Sequence, residues 1–173
     1  MHRSAIFSFF VAFASLIPGL QAQISQVSMA LANNDAVAFK TSTAAVTFSF
    51  TTARVLPAGQ SIIVTLPANY FVARTNPAVT IAMVNPGQGV VAPSATCTLA
   101  VGACTITCVT ADSALVAGAL RLVFGAGQLS TGAALVAQVN GLAISTSVDN
   151  VASGFSAAIV VHSIIFENAL DLF

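Results

Sequence analysis

Cys97, Cys104 and Cys108 fall within twelve residues, and the 173-residue chain has no other cysteine. Thiols this close have two main uses, a disulfide or a set of thiolate metal ligands. In an oxidising compartment a disulfide is the default, and an odd count leaves one thiol over. A turn near Val101-Gly102 would fold residues 97–108 into a hairpin with all three cysteines on one face. Cys97–Cys104 is then the first choice of pairing, and Cys97–Cys108 the alternative. Cys104–Cys108 on one extended strand is disfavoured, because four residues of strand rise exceed the reach of a disulfide. The leftover cysteine is read as a small buried hydrophobe on an apolar strand face, or else as a cross-link to a second chain. Zinc is not expected, since it usually announces itself with paired C-x-x-C spacing, and His162 lies far away along the chain.

The remaining reactive groups are isolated. His162 sits in "AIVVHSIIF", with apolar residues on both sides. As a general base it would need a nucleophile to serve, and the chain has neither G-x-S-x-G nor a glycine-rich phosphate loop. It is read as a strand histidine. Asp112 and Asp149 follow strands, but calcium requires several oxygen ligands clustered together, and Asp149-Asn150 reads as a turn. Tyr70-Phe71 is either an exposed contact for sugar or protein or packing at a corner of the fold, and packing is preferred. With no Trp and a single Tyr, a planar row of sugar-binding aromatics is not in prospect. No catalytic, metal-binding or cofactor-binding residues are assigned.

The elements that would carry these residues alternate with period two. In "VTFSFT", Val46, Phe48 and Phe50 share one face and hydroxyls take the other. "VTIAM" from Val79, "CTITC" from Cys104, "LRLVF" from Leu120 and "LVAQV" from Leu135 repeat the pattern, which argues half-buried strands. In "LPAGQSIIVTLP", Pro57 and Gly59 build a turn, Ile62, Val64 and Leu66 alternate along a strand, and Pro67 ends it for want of an N–H. The same L-x-x-G opening precedes the strands at Leu120 and Leu135. Its spacing is irregular, so it marks recurrent hairpin chemistry rather than a solenoid repeat. About eight to ten short strands are predicted, as an antiparallel β-sandwich of two sheets packed face to face, with a barrel as the competing closure. The apolar runs at residues 24–31 and 155–166 are candidate edge strands, which either pair within the chain or template a neighbour.

At the N-terminus, Met1-His2-Arg3 precedes an uncharged run, "AIFSFFVAFASL", then Pro18-Gly19 and a small residue at Ala22. That order is a secretory signal pattern, and the run is shorter than the roughly 20 residues of a bilayer span. Residues 1–22 are expected to be the signal peptide and 23–173 a single secreted, extracellular domain with no membrane span. Charged residues make up 6% of the chain at zero net charge, where about 25% is ordinary. So few, scattered charges exclude a phosphate-tracking basic patch, and a surface this neutral favours association.

The stretches "VTFSFTTARVLPAGQSIIVTLPANYF" and "LSTGAALVAQVNGLAIS", with the cysteine-bearing hairpin between them, resemble secreted Ig-like β-sandwich modules of microbial surface and extracellular matrix proteins. The likeness spans residues 44–147 and is one of strand grammar. It implies an Ig-like sandwich and an adhesive or matrix role. The expectation is therefore a non-enzymatic structural or adhesive extracellular protein whose partners are matrix or cell-surface components, or itself. The alternatives are a self-assembling filament or coat subunit, using edge strands or an interchain disulfide, and a small secreted hydrolase.

Overall fold

The computed structural model describes residues 24–83, 95–99, 105–111, 113–133, 135–138, 141–149 and 159–161. The expected signal peptide, Cys104, Asp112 and His162 lie outside them. The described chain is all-β, and its one helical element is a 3₁₀ turn at Asn33–Asp35.

Among the described residues eleven strands form in chain order: β1 (Ser25–Ala30), β2 (Val46–Thr52), β3 (Ser61–Thr65), β4 (Arg74–Thr75), β5 (Val79–Met83), β6 (Ala95–Leu99), β7 (Thr105–Thr110), β8 (Gly118–Phe124), β9 (Leu135–Gln138), β10 (Ala143–Thr146) and β11 (Ile159–Val161). One antiparallel sheet runs β1-β2-β8-β5, a second runs β10-β3-β7-β6-β4, and β11 pairs with β9. The extra strands beyond the expected number come from pieces such as β4, whose two residues are too short to show a period. β1, read as an edge strand, is at an edge, and a bulge between Ser25 and Ser28 interrupts its pairing with β2.

The alternation decides which faces meet. Val46, Phe48 and Phe50 of β2 are buried, as are Leu120, Leu122 and Phe124 opposite them on β8. Ile62 and Val64 of β3 and Ile106 and Cys108 of β7 supply the inner face of the second sheet, and all join one continuous core. Each fully buried side chain of this size contributes about 1.5–3 kcal/mol. The edge-to-face contact of Phe48 with Phe124, centroids 5.9 Å apart, adds about 1 kcal/mol.

The bracketed strand at residues 56–67 resolves as its chemistry requires. Gly59 takes φ +74° in the turn, a conformation cheap only without a Cβ, and its N–H donates to the Thr110 carbonyl at 2.7 Å. β3 follows at once and ends at Thr65, just before Leu66-Pro67. Two of the L-x-x-G openings meet each other: Leu56 and Leu115 form an antiparallel bridge, with N–H to carbonyl distances of 2.9 and 2.8 Å.

The disulfide joins Cys97 to Cys108, which corrects the first-choice pairing of Cys97 with Cys104. The register explains it. β6 and β7 pair Cys97 directly with Cys108 and Leu99 with Ile106, so the hairpin turns later than a Cys97–Cys104 pair requires, and Cys104 precedes the first residue of β7. Both bonded cysteines are fully buried.

Candidate functional site

At one pole of the sheets β2 and β5 begin and β8 ends, since Phe124 pairs with both Val46 and Val79. There the L-S-T-G segment after β8, residues 129–132, runs between two others. On one flank Thr41 bridges Ser130. Ser42 N–H donates to the Leu129 carbonyl, Thr131 N–H to the Lys40 carbonyl, and Phe39 N–H to the Gly132 carbonyl, each at 2.9 Å. On the other flank Phe71 bridges Thr131, Val72 N–H donates to the Ser130 carbonyl and Gly132 N–H to the Tyr70 carbonyl, both at 2.8 Å. The buried Thr131 hydroxyl accepts from Lys40 N–H at 2.9 Å and donates to the Val37 carbonyl. The result is a short three-stranded ladder made from connecting segments.

Asp35 anchors the 39–42 flank. Its buried carboxylate accepts from the Thr43 hydroxyl and N–H, each at 2.8 Å, and from Ala44 N–H at 3.0 Å, with Lys40 Nζ 3.5 Å away. Burial acts to raise the carboxyl pKa, but these hydrogen bonds together with the Lys40 charge outweigh it and hold Asp35 below its ordinary 3.8. A depressed folded-state pKa means that the unfolded chain binds more protons in acid. The stabilisation is therefore complete above the ordinary value and is lost as pH falls through the folded value. Denaturant midpoints measured between pH 6 and pH 2.5 should decline below pH 3.8, and Asp35→Asn should be less stable at pH 6 with a flatter decline. A variant with the wild-type pH profile would remove Asp35 from this role.

On the outer side of the ladder Phe39 is 76% exposed and Val72 47%. Phe39 also holds φ +56°, a left-handed conformation that costs a bulky residue about 1–3 kcal/mol. Phe39, Asn69, Phe71, Val72, Ala73 and Gly132 line a depression of about 300 Å³. The two cations nearby are committed to the protein itself: Lys40 to Asp35 and the Asn34 carbonyl, and Arg74 Nη1 to the carbonyls of Gly127 at 2.6 Å and Gln128 at 3.0 Å. Among the described residues the depression therefore offers mostly apolar walls, with Asn69 the polar exception, and no charged side chain in its lining, a surface suited to apolar contact.

The residues singled out from sequence sit elsewhere or deeper. Tyr70 and Phe71 are buried edge to face, centroids 4.8 Å apart, so they support the ladder from beneath. Burial pushes the Tyr70 phenol above its usual range. Asp149 lies at the opposite pole, buried, in a turn where its N–H donates to Thr146 Oγ1 at 2.9 Å. Its Oδ1 has no hydrogen-bond partner, and Arg54 Nε is 3.9 Å away. Among the described residues no three His, Cys, Asp or Glu side chains form a group able to hold a metal ion, and no helix is long and apolar enough to cross a membrane. Phe39 was missed by sequence reading: "AVAFKTS" has no period that would set one apolar residue apart from its neighbours. Compared with known proteins, the chain matches no family model, no curated protein and no solved structure.

Proposed function

We propose that this chain is a non-enzymatic structural or adhesive extracellular protein, an Ig-like sandwich that makes contact through the Phe39 depression. The observation that carries the reading is Phe39 itself. A strained aromatic persists in solvent only where the surrounding structure over-determines it, and such positions concentrate at contact and ligand sites. Here a ladder with internally bonded backbone holds it beside an apolar hollow. The low charge of the whole chain supports the same reading, because contact with matrix or cell-surface components then meets little long-range repulsion.

The test separates contact from folding. Phe39→Gly removes the aromatic and suits the positive φ, so the fold should be as stable as wild type or more so. A tagged chain expressed in a secreting host is divided between the medium and a salt-washed cell-surface and matrix fraction. The wild type should stay in the washed fraction and be released by detergent, while Phe39→Gly should shift at least tenfold towards the medium, as expected for loss of an anchoring aromatic. Wild-type protein found wholly free in the medium, or equal partition of the two, would overturn the reading.

A further inference from the structure

Among the described residues, the exposed large hydrophobic side chains divide between the two poles. Phe39 and Val72 lie at the pole where β2 begins, and Val55, Val109 and Val116 lie towards the pole where β2 ends and β8 starts. The seven residues of β2 put roughly 20 Å between the poles. At the second pole the isolated Leu56–Leu115 bridge exchanges both hydrogen bonds, and an antiparallel register carried one residue further would set its neighbours Val55 and Val116 opposite each other. Both leucines are buried, whereas Val55 is 51% and Val116 46% exposed. Alternation turns the two valines away from the core together, as a small apolar ridge.

The molecule thus carries an apolar ridge at one pole and an apolar hollow at the other. We propose that it associates with a second copy of itself, the Val55–Val116 ridge of one molecule seated in the Phe39 depression of the next. This rests on the adhesive reading above and names the partner. A second copy is favoured over another apolar partner because one chain presents both an apolar ridge and an apolar hollow, and its few, nearly balanced charges set up little repulsion between copies. The two surfaces differ, so the contact is heterologous and leaves a free ridge and a free hollow at the ends of every oligomer, an open chain rather than a closed dimer. Two valines against one small depression are expected to bury less than the roughly 800 Å² per partner of a standard interface. Each link is weak, and assembly appears only where copies are concentrated.

Sedimentation of the chain recovered from the medium of the secreting host, over a concentration series with and without reductant, tests this. The mean mass should rise without a plateau at dimer, equally in both conditions. Phe39→Gly, and Val55→Ser combined with Val116→Ser, should each remain monomeric with a thermal midpoint no more than a few degrees below wild type. Mixed in equal amounts, the two variants should give heterodimers and nothing larger, since each keeps one working pole. A monomer at every concentration, a plateau at dimer, self-association of either variant, a mixture that stays monomeric, or collapse on reduction would each overturn the proposal. A monomeric wild type that still needs Phe39 for surface retention would sink pole pairing alone. A monomer indifferent to Phe39 in both assays would sink the adhesive reading too.

Discussion

Gly132→Ala should lower the thermal midpoint by roughly 6–12 °C, the equivalent of about 3 kcal/mol or more in a chain of this size. A Cβ at position 132 would stand 1.8 Å from the Asn69 carbonyl oxygen and 2.8 Å from its carbon. Both are backbone atoms, so no side chain can swing aside to make room. Asn69 is itself held at φ +64°, in a turn where Tyr70 N–H donates to the Pro67 carbonyl at 3.1 Å. Relief therefore means parting residues 129–132 from 70–72 and breaking the bonds that hold the ladder. Gly125→Ala is the control: its nearest neighbour is Gln128 Cγ at 4.0 Å, and its effect should stay within about 0.5 kcal/mol. If both variants melt with wild type, the close approach at Gly132 is not a feature of the folded protein.

The second large effect concerns the disulfide. Cys97 and Cys108 are separated by 11 positions, and closing a loop of that length removes enough unfolded-state entropy to stabilise the fold by about 3 kcal/mol. Cys97→Ala with Cys108→Ala should lose about that much in denaturant unfolding, and the m-value should rise because the unfolded chain expands further. Cys104→Ser should keep the bond, shown by a mass that gains no alkyl groups until the protein is reduced. Free thiols in Cys104→Ser, or a double alanine variant that unfolds at the wild-type midpoint, would contradict the assignment.

Legibility in the sequence followed the length and regularity of each signal. Val46, Phe48 and Phe50 repeat at period two over a full strand, so burial of that face could be read directly. Pro57, Gly59 and Pro67 act through backbone geometry that each residue carries in its own structure, and the limits of β3 followed from them. The cysteine pairing turned on register. Alternation names the face a residue occupies and leaves its cross-strand partner to the turn, so Cys104 and Cys108 looked alike until the pairing of β6 with β7 was known. The candidate site was the least legible part. Its ladder comprises residues 39–42, 70–72 and 129–132, too short to show a period and joined only by tertiary contact. Nothing in the sequence sets Asp35 apart from the other scattered charges, because its partners Thr43 and Ala44 are reached through a turn without a motif. The L-x-x-G at Leu129 was read for its turn, whereas Gly132 matters for the space it leaves beside Asn69.

The order of strands also dictates how the chain must reach this state. Among the pairings described, only β1 with β2 and β6 with β7 join consecutive strands. The centre of the first sheet waits until Val46 finds Phe124, and that of the second until Ile62 finds Cys108. Non-local pairing of this kind is slow, commonly milliseconds to seconds, because loop closure must be completed before any contact rewards it. During that interval "VTFSF" has at least one open edge and "SIIVT" is unpaired, and both are uncharged and rich in β-formers, the composition that recruits other chains. Folding yield for this protein is thus a race between closure within one chain and capture by another, and the dilution at which it folds matters as much as its stability once folded.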